Sequence, residues 1–164
     1  MNHKVLSLLQ PWASLLAGGH KEVETRSFNT KYRGPLLIHA SVKFNSALHE
    51  TALQSTFFDI LHGEMGYKFY GMPGGRNNCR DTMPRGAIIG MVNLVETFQF
   101  GTDRSKEYIK SRTMDDCIRE VVFGDWTKGR WGWRVSDPVI FETPIPAKGQ
   151  LSIWNWEGEL PQIK

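Results

Sequence analysis

The chain has 164 residues, of which 40% are hydrophobic and 23% are charged, and its formal net charge is +3. This size and composition are typical of a soluble globular protein with a real core, so we expect one domain over residues 1–164. The mild charge permits an anionic partner but excludes a strongly basic nucleic-acid-binding type, and no apolar run is long enough to cross a bilayer.

Cysteine and histidine usage points to a protein without a metal. Cys79 and Cys117 are the only cysteines, and they form no C-x-x-C pair. No signal-like segment opens the chain, which favours a reduced, intracellular and cytoplasmic protein. The five histidines show none of the close paired spacings of zinc sites. We therefore predict no metal, no cofactor and no membrane association.

The opening segment predicts a short strand followed by a short helix. Residues 5–9 are apolar, and Pro11 suits the first turn of a helix because its missing N–H would have no partner there. Residues 12–17 then form about two turns. Gly18 and Gly19 end this helix, since glycine accepts the positive φ that a helix end requires.

A cluster of opposite charges follows the helix. If residues 21–26 are extended, Glu24 and Arg26 lie on one face, and Lys21 reaches it from the preceding turn. The group is either an ordinary ion-pair network, in which an exposed pair contributes roughly 0–1 kcal/mol, or a functional cleft. In such a cleft Lys21 is partly desolvated and its amine is placed to act as a base or nucleophile.

A strand and a helix are predicted next. Residues 35–40 form a compact apolar run of strand length. We interpret His39 in this run as a packed or hydrogen-bonded residue in preference to a proton-transfer group. Apolar residues at steps of three and four follow the cap residue Asn45 and predict a helix to about residue 61.

The glycine-rich segment 63–86 predicts a long irregular connection of the kind that is often functional. It interleaves aromatic and basic residues, which is the combination that stacks on bases and pairs with phosphates. The alternative is a surface loop whose aromatic residues pack against the core, and composition does not separate the two. The binding candidates in this segment are Tyr67, Arg76 and Arg80.

The second half of the chain predicts more strands around one helix. Residues 87–98 read as a central strand in which Gly90 marks a bulge or a close approach. Thr113 caps a helix with an apolar stripe that we expect in the core. The stripe consists of Met114, Cys117, Ile118, Val121 and Val122. Two strands follow from Arg130 and a last one ends at Trp156, so the chain predicts an α+β fold with a small mixed or antiparallel β-barrel flanked by helices.

Three strings of this sequence identify it as a member of a known family. They are QPWASLL, GGHKEVETRS and YRGPLLIHAS, and the closing run GRWGWRVSDPVIFETPIPAKGQLSIWNW extends the match. Together they closely resemble ASCH domains, the activating-signal-cointegrator homology group of the PUA-like superfamily. The motif G-x-K-x-x-E-x-R stands at Gly19, Lys21, Glu24 and Arg26. The resemblance covers residues 5–156 and implies a PUA-like barrel.

The resemblance also implies three functions. Many ASCH domains are associated with nucleic-acid binding, and some bacterial ones with ribonuclease activity. Other small bacterial ones resemble amidohydrolases of 4-acetylcytidine that use a lysine, a threonine three residues later and a distant glutamate. Lys21 matches that lysine, Glu24 stands at the threonine position, and the sequence leaves the distant glutamate open, with Glu96 and Glu107 among the candidates.

We therefore predict a protein that binds RNA, another single-stranded nucleic acid or a nucleoside in a cleft beside Lys21, Glu24 and Arg26. An amidohydrolase of acylated cytidine and a metal-independent ribonuclease are the alternatives, with Lys21 and Glu24 as catalytic residues. Trp131 and Trp154 are weighed as stacking faces, although barrel strands often bury such residues. The full set of binding candidates is Gln10, Trp12, Lys21, Arg26, Tyr67, Arg76, Arg80, Trp131 and Trp154.

Overall fold

A sheet of six strands forms the centre of the molecule. The computed structural model describes residues 1–70 and 80–161. In chain order the strands are β1 (Asn2–Leu8), β2 (Val23–Arg26), β3 (Gly34–Ala40), β4 (Phe69–Tyr70), β5 (Arg80–Asp81), β6 (Ala87–Gln99), β7 (Trp131–Pro146) and β8 (Ile153–Glu157). Across the large sheet the order is β2, β7, β6, β3, β1 and β8, whereas β4 and β5 pair with each other.

Helices flank this sheet. They are α1 (Trp12–Ala17), α2 (Ser46–Ala52), α3 (Ser55–Phe58), the π-helical segment Asp59–Glu64, α4 (Asp103–Lys110) and α5 (Met114–Phe123). Among the helices of the described residues, none is long and apolar enough to span a membrane.

The sheet is mixed and curled. Strands β1 and β3 are parallel, and their connection runs through α1 and β2. The other neighbouring pairs are antiparallel. The end strands β2 and β8 lie at opposite edges of the sheet, whose curled shape is that of a half-barrel. This arrangement confirms the predicted α+β class and the PUA-like mixed barrel flanked by helices.

Helix α1 occupies the predicted residues and packs directly against the sheet. It ends before Gly19, whose φ of +78° is the conformation predicted for the helix end. Residues 15–17 of this helix are completely buried. Gly90 makes this approach possible, because a Cβ there would lie 2.9 Å from the Cβ of Ala17. The pairing of β6 with β3 and with β7 changes register next to Gly90, which is the bulge predicted there.

Four apolar clusters hold the elements of the described residues together, and two of them border the candidate site. The main core lies between α1 and the sheet and includes the fully buried Trp133 with Leu36 and Ile38. The helix core lies between α1, α3 and α5, and Phe57 contacts Phe123 there with a ring separation of 4.8 Å. The helix core therefore joins helices that are far apart in the sequence.

The single helix predicted from Asn45 is interrupted. The Asn45 side chain does accept a hydrogen bond from the backbone N–H of Leu48, as expected for a cap. However, Gln54 is extended, with φ −64° and ψ 144°, and the helix restarts after it. The break lets Phe57 and Leu61 turn into the helix core, which a straight helix with the predicted stripe would not do.

The predicted orientation of α5 is wrong. Its apolar stripe faces solvent, with Met114, Ile118 and Val121 exposed by 75%, 54% and 57%. Glu120 and Phe123 are the buried residues instead. Hydrogen bonds that the Glu120 carboxylate accepts from β2 determine the orientation, because a buried donor without a partner costs more than an exposed apolar group.

Helix α4 lies outside the predicted elements. Its sequence has no apolar stripe, and only Ser105 and Tyr108 of its eight residues are buried. The Thr102 side chain caps its first turn by accepting a hydrogen bond from the Ser105 N–H. A cap followed by charged residues is a weaker signal than hydrophobic periodicity.

His39 is a buried, hydrogen-bonded residue of the sheet, as interpreted from the sequence. It is 2% exposed, and its Nε2 lies 3.0 Å from the carbonyl oxygen of Ala147. Its ring meets the edge of the Trp154 indole at a centroid distance of 5.9 Å. Trp154 in turn donates a hydrogen bond to Ser7 over 3.0 Å.

We expect acid to destabilise the fold through His39. Burial lowers its pKa, and the hydrogen bond to Ala147 only partly opposes this effect. The unfolded chain therefore takes up the proton first. The contribution of His39 to the free energy of unfolding is complete above its ordinary pKa of about 6.5 and is lost as the pH falls below that value.

Urea unfolding at about pH 7.5 and about pH 5.5 measures this contribution. The free energy of unfolding of the wild-type protein should fall more steeply between these pH values than that of His39→Gln, which cannot be protonated. Equal falls in the two proteins would contradict the prediction.

Candidate functional site

The three charged residues of the G-x-K-x-x-E-x-R motif lie together. The amine of Lys21 is 3.8 Å from one carboxylate oxygen of Glu24, and the guanidinium of Arg26 is 3.6 Å from the other. Glu24 and Arg26 share a face of the edge strand β2, because alternate residues of a strand point the same way. Lys21 approaches from the turn after α1, as the sequence predicts.

The Lys21 amine is not open to solvent. Its side chain is completely buried, and Nζ donates a hydrogen bond to the carbonyl oxygen of Val23. This differs from the partly desolvated amine that the functional interpretation expects. The physical reason is that a buried ammonium group needs both a counterion and hydrogen-bond acceptors, and Glu24 with the β2 backbone supplies them.

Glu120 is an important residue that the sequence does not reveal. Its carboxylate accepts hydrogen bonds from the backbone N–H groups of Glu22 and Val23, the latter over 3.2 Å. Burial raises the pKa of Glu120, while the charge of Lys21 and the two backbone hydrogen bonds oppose the rise. Glu120 thus ties α5 to the residues where β2 begins. About a hundred residues separate it from its partners, so no local pattern indicates this contact.

A cavity of about 480 Å³ lies at the edge of β2. Trp12 of α1 forms one wall, Glu24 and Thr25 form another, and the end of α5 with Arg130 closes it. We call it the edge cavity. Its volume falls within the range of roughly 300–1,000 Å³ that is usual for small-molecule sites.

Charged groups line the far side of the edge cavity. Arg130 forms an ion pair with Asp125 at 3.1 Å and donates to the carbonyl oxygen of Thr25 over 3.4 Å. Arg26 lies beside the cavity, with its guanidinium carbon 5.2 Å from the centre of the Phe28 ring. Neither Arg130 nor Asp125 is among the site residues predicted from the sequence, although Arg130 lies in the closing run that resembles the family.

Several predicted binding residues lie elsewhere. Gln10 is completely buried, donates to the carbonyl oxygen of Pro84 over 2.8 Å and accepts from the Ser14 N–H. Trp154 is 7% exposed, and Trp131 packs against the main core. The amide of Gln10 and the indole of Trp154 are therefore not accessible to a ligand in this conformation.

Of the binding residues predicted in the glycine-rich segment, Tyr67 lies near α1. The Tyr67 hydroxyl accepts a hydrogen bond from Ser14 over 3.2 Å, and the ring packs against the helix core. Burial raises the pKa of Tyr67. Arg76 and the side chain of Arg80 lie outside the described residues, so their predicted roles stay predictions.

The amidohydrolase hypothesis requires a distant glutamate near Lys21, and the structure shows where the candidates lie. Glu96 binds Arg104 through two hydrogen bonds of 2.6 and 2.8 Å, and Glu107 is exposed, so neither lies with Lys21. Glu120 is the distant carboxylate whose pKa the charge of Lys21 lowers, against the rise caused by burial. The amidohydrolase and ribonuclease hypotheses stay predictions, and both would require the buried amine to become accessible. In the described part of the chain, no group of three or more His, Cys, Asp or Glu residues is placed to hold a metal.

Comparison with known proteins agrees with these observations. The model of the ASCH domain family matches residues 6–126. The chain is similar to activating signal cointegrator 1 of Homo sapiens, with 29% identity over 157 residues, and to that of Mus musculus, with 38% identity over the same length. These matches cover 96% of this chain but only 23% of each relative.

Proposed function

Because the chain belongs to the ASCH domain family, we propose that it binds single-stranded RNA and holds one unpaired base in the edge cavity. ASCH domains generally bind RNA. The observation that carries the proposal is the cavity itself, in which the Trp12 side chain and the Glu24 carboxylate line the same space.

The residue types in the edge cavity suit a base. An indole offers a flat face for stacking, which contributes about 1–3 kcal/mol per base in single-strand recognition. A carboxylate accepts hydrogen bonds from the exocyclic amino groups of bases. Arg130, paired with Asp125, brings further guanidinium donors to the same cavity.

The ion pairs around Glu24 hold its carboxylate in place. The side chain is 9% exposed, and Lys21 and Arg26 lie on its two oxygens. A carboxylate held in this way needs little reorganisation when a base approaches, so less conformational entropy is lost on binding. In this proposal the buried Lys21 amine supports Glu24 and does not itself contact the ligand.

Titration with labelled single-stranded RNA at two salt concentrations tests the proposal. We expect binding that weakens as salt rises, with a slope of log K against log salt of about −0.7 for each phosphate contacted. Glu24→Gln should change the order of preference among homopolymers of the four bases, because an amide presents a donor where the carboxylate only accepts.

The exposed Glu107→Gln serves as the matched control, since it makes the same charge change away from the cavity. No binding of any RNA at low salt would contradict the proposal. Incubating the protein with RNA or with 4-acetylcytidine and separating the products by chromatography tests the ribonuclease and amidohydrolase alternatives. Cleavage or deacylation that is lost in Lys21→Ala would indicate an enzyme.

A further inference from the structure

A second cavity lies at the other end of the same segment. Its volume is about 270 Å³, and it lies between the turn at Gly19, Lys21 and Glu22 and the β7 residues 134–138. We call it the turn cavity. The edge cavity borders Glu24 and Thr25 of the same segment, two residues beyond Glu22. At about 3.3 Å per extended residue, the nearest lining residues of the two cavities are about 7 Å apart along the chain, so neighbouring nucleotides of one strand can reach both.

Arg134 brings available hydrogen-bond donors to the turn cavity. Its side chain is 30% exposed, and its nearest carboxylate, that of Glu96, is 3.7 Å away. Glu96 is already bound by Arg104 through two short hydrogen bonds. Within the described residues the Arg134 guanidinium makes only this long ion pair, so its planar donor face can bind a phosphate.

Asp137 and Ser136 bring acceptors to the same cavity. One oxygen of the Asp137 carboxylate accepts a hydrogen bond from the Ser136 hydroxyl over 2.7 Å. The other oxygen remains able to accept, and the side chain is exposed. Asp137 has a φ of +50°, a conformation that few residues other than glycine adopt.

The remaining charges of the turn cavity are already neutralised. Glu22 forms a two-pronged ion pair with Arg112, and Lys21 is paired with Glu24. The groups left for a ligand are therefore one cationic donor and one anionic acceptor on β7. A phosphate requires the donor, and a sugar hydroxyl can donate to the carboxylate.

We propose that the turn cavity binds the ribose and phosphate next to the base held in the edge cavity, with Arg134 on the phosphate and Asp137 on the 2′-hydroxyl. This inference rests on the proposed function. It predicts that the protein distinguishes RNA from DNA, since the 2′-hydroxyl is the group that separates the two.

Two variants test the two contacts. Asp137→Gly removes the carboxylate and suits the positive φ, so the fold should be retained. Wild-type protein should bind an RNA oligonucleotide about 3- to 10-fold more tightly than DNA of the same sequence, and Asp137→Gly should abolish this preference by weakening RNA binding alone. Arg134→Gln should weaken both and reduce the salt slope by about 0.7.

Arg33→Gln is the control for net charge, because that arginine is bound to Thr97 and to backbone carbonyl groups outside both cavities. If RNA binds and Glu24→Gln alters base preference while both turn-cavity variants behave as wild type, this inference is wrong and the proposed function stands. If no oligonucleotide binds, the proposed function itself fails.

Discussion

Replacing Lys21 with methionine should lower the free energy of unfolding by about 3–5 kcal/mol, the usual cost of breaking a buried ion pair by removing one partner. Methionine keeps most of the aliphatic packing, so the loss reports on the charge. Without the amine, the carboxylates of Glu24 and Glu120 lose a shared cation, and the carbonyl oxygen of Val23 loses its donor.

Denaturant unfolding monitored by tryptophan fluorescence measures the loss. Lys106→Met is the control, because Lys106 forms an exposed ion pair with Asp103 and its replacement should leave the unfolding midpoint close to that of the wild type. The double variant Lys21→Met/Glu24→Gln should recover part of the stability, since it removes both charges of the ion pair. A small loss in Lys21→Met would show that the buried charges are dispensable.

Replacing Trp12 with alanine should weaken binding of single-stranded RNA by about 10- to 100-fold, because the base loses its stacking partner. Trp12 forms a wall of the edge cavity, and its ring also meets Phe57 at a centroid distance of 6.1 Å. The variant therefore removes some packing as well. Circular dichroism and the unfolding midpoint must be recorded alongside the affinity.

Two controls separate stacking from general damage. Trp12→Phe should retain most of the affinity, because phenylalanine keeps a flat aromatic face. Trp156→Ala removes an indole on β8, the edge strand opposite β2. Its ring contacts His3 and packs against the apolar cluster around Trp154. RNA binding by Trp12→Ala at wild-type strength would show that the base does not lie in the edge cavity.

The sequence predicts most elements of the fold because their signals are local. Helix α1 with its glycine end and the strands around Leu37 and Val92 follow from apolar runs and breaker residues within a few positions. The break at Gln54 and the outward stripe of α5 do not follow, since they depend on what each face meets. Periodicity shows which residues share a helix face, but not whether that face meets the core or the solvent.

Some residues of the candidate site can also be predicted from the sequence, and others only from the tertiary structure. Lys21, Glu24 and Arg26 could be grouped from their spacing, since extended residues two apart share a face. Arg130, Asp125 and Glu120 could not, because they come from segments about a hundred residues away. The positions of Gln10 and Trp154 also needed coordinates, as burial depends on the packing around a residue.

By itself the sequence determined the family, the α+β class, the order of most elements and the charged motif on β2. The tertiary structure alone decided that the Lys21 amine is buried, that Glu120 binds the backbone at the start of β2, and that two cavities lie along this segment. The physical reason is that local backbone preferences act within a few residues, whereas burial, ion pairing and cavity shape arise when distant segments pack together.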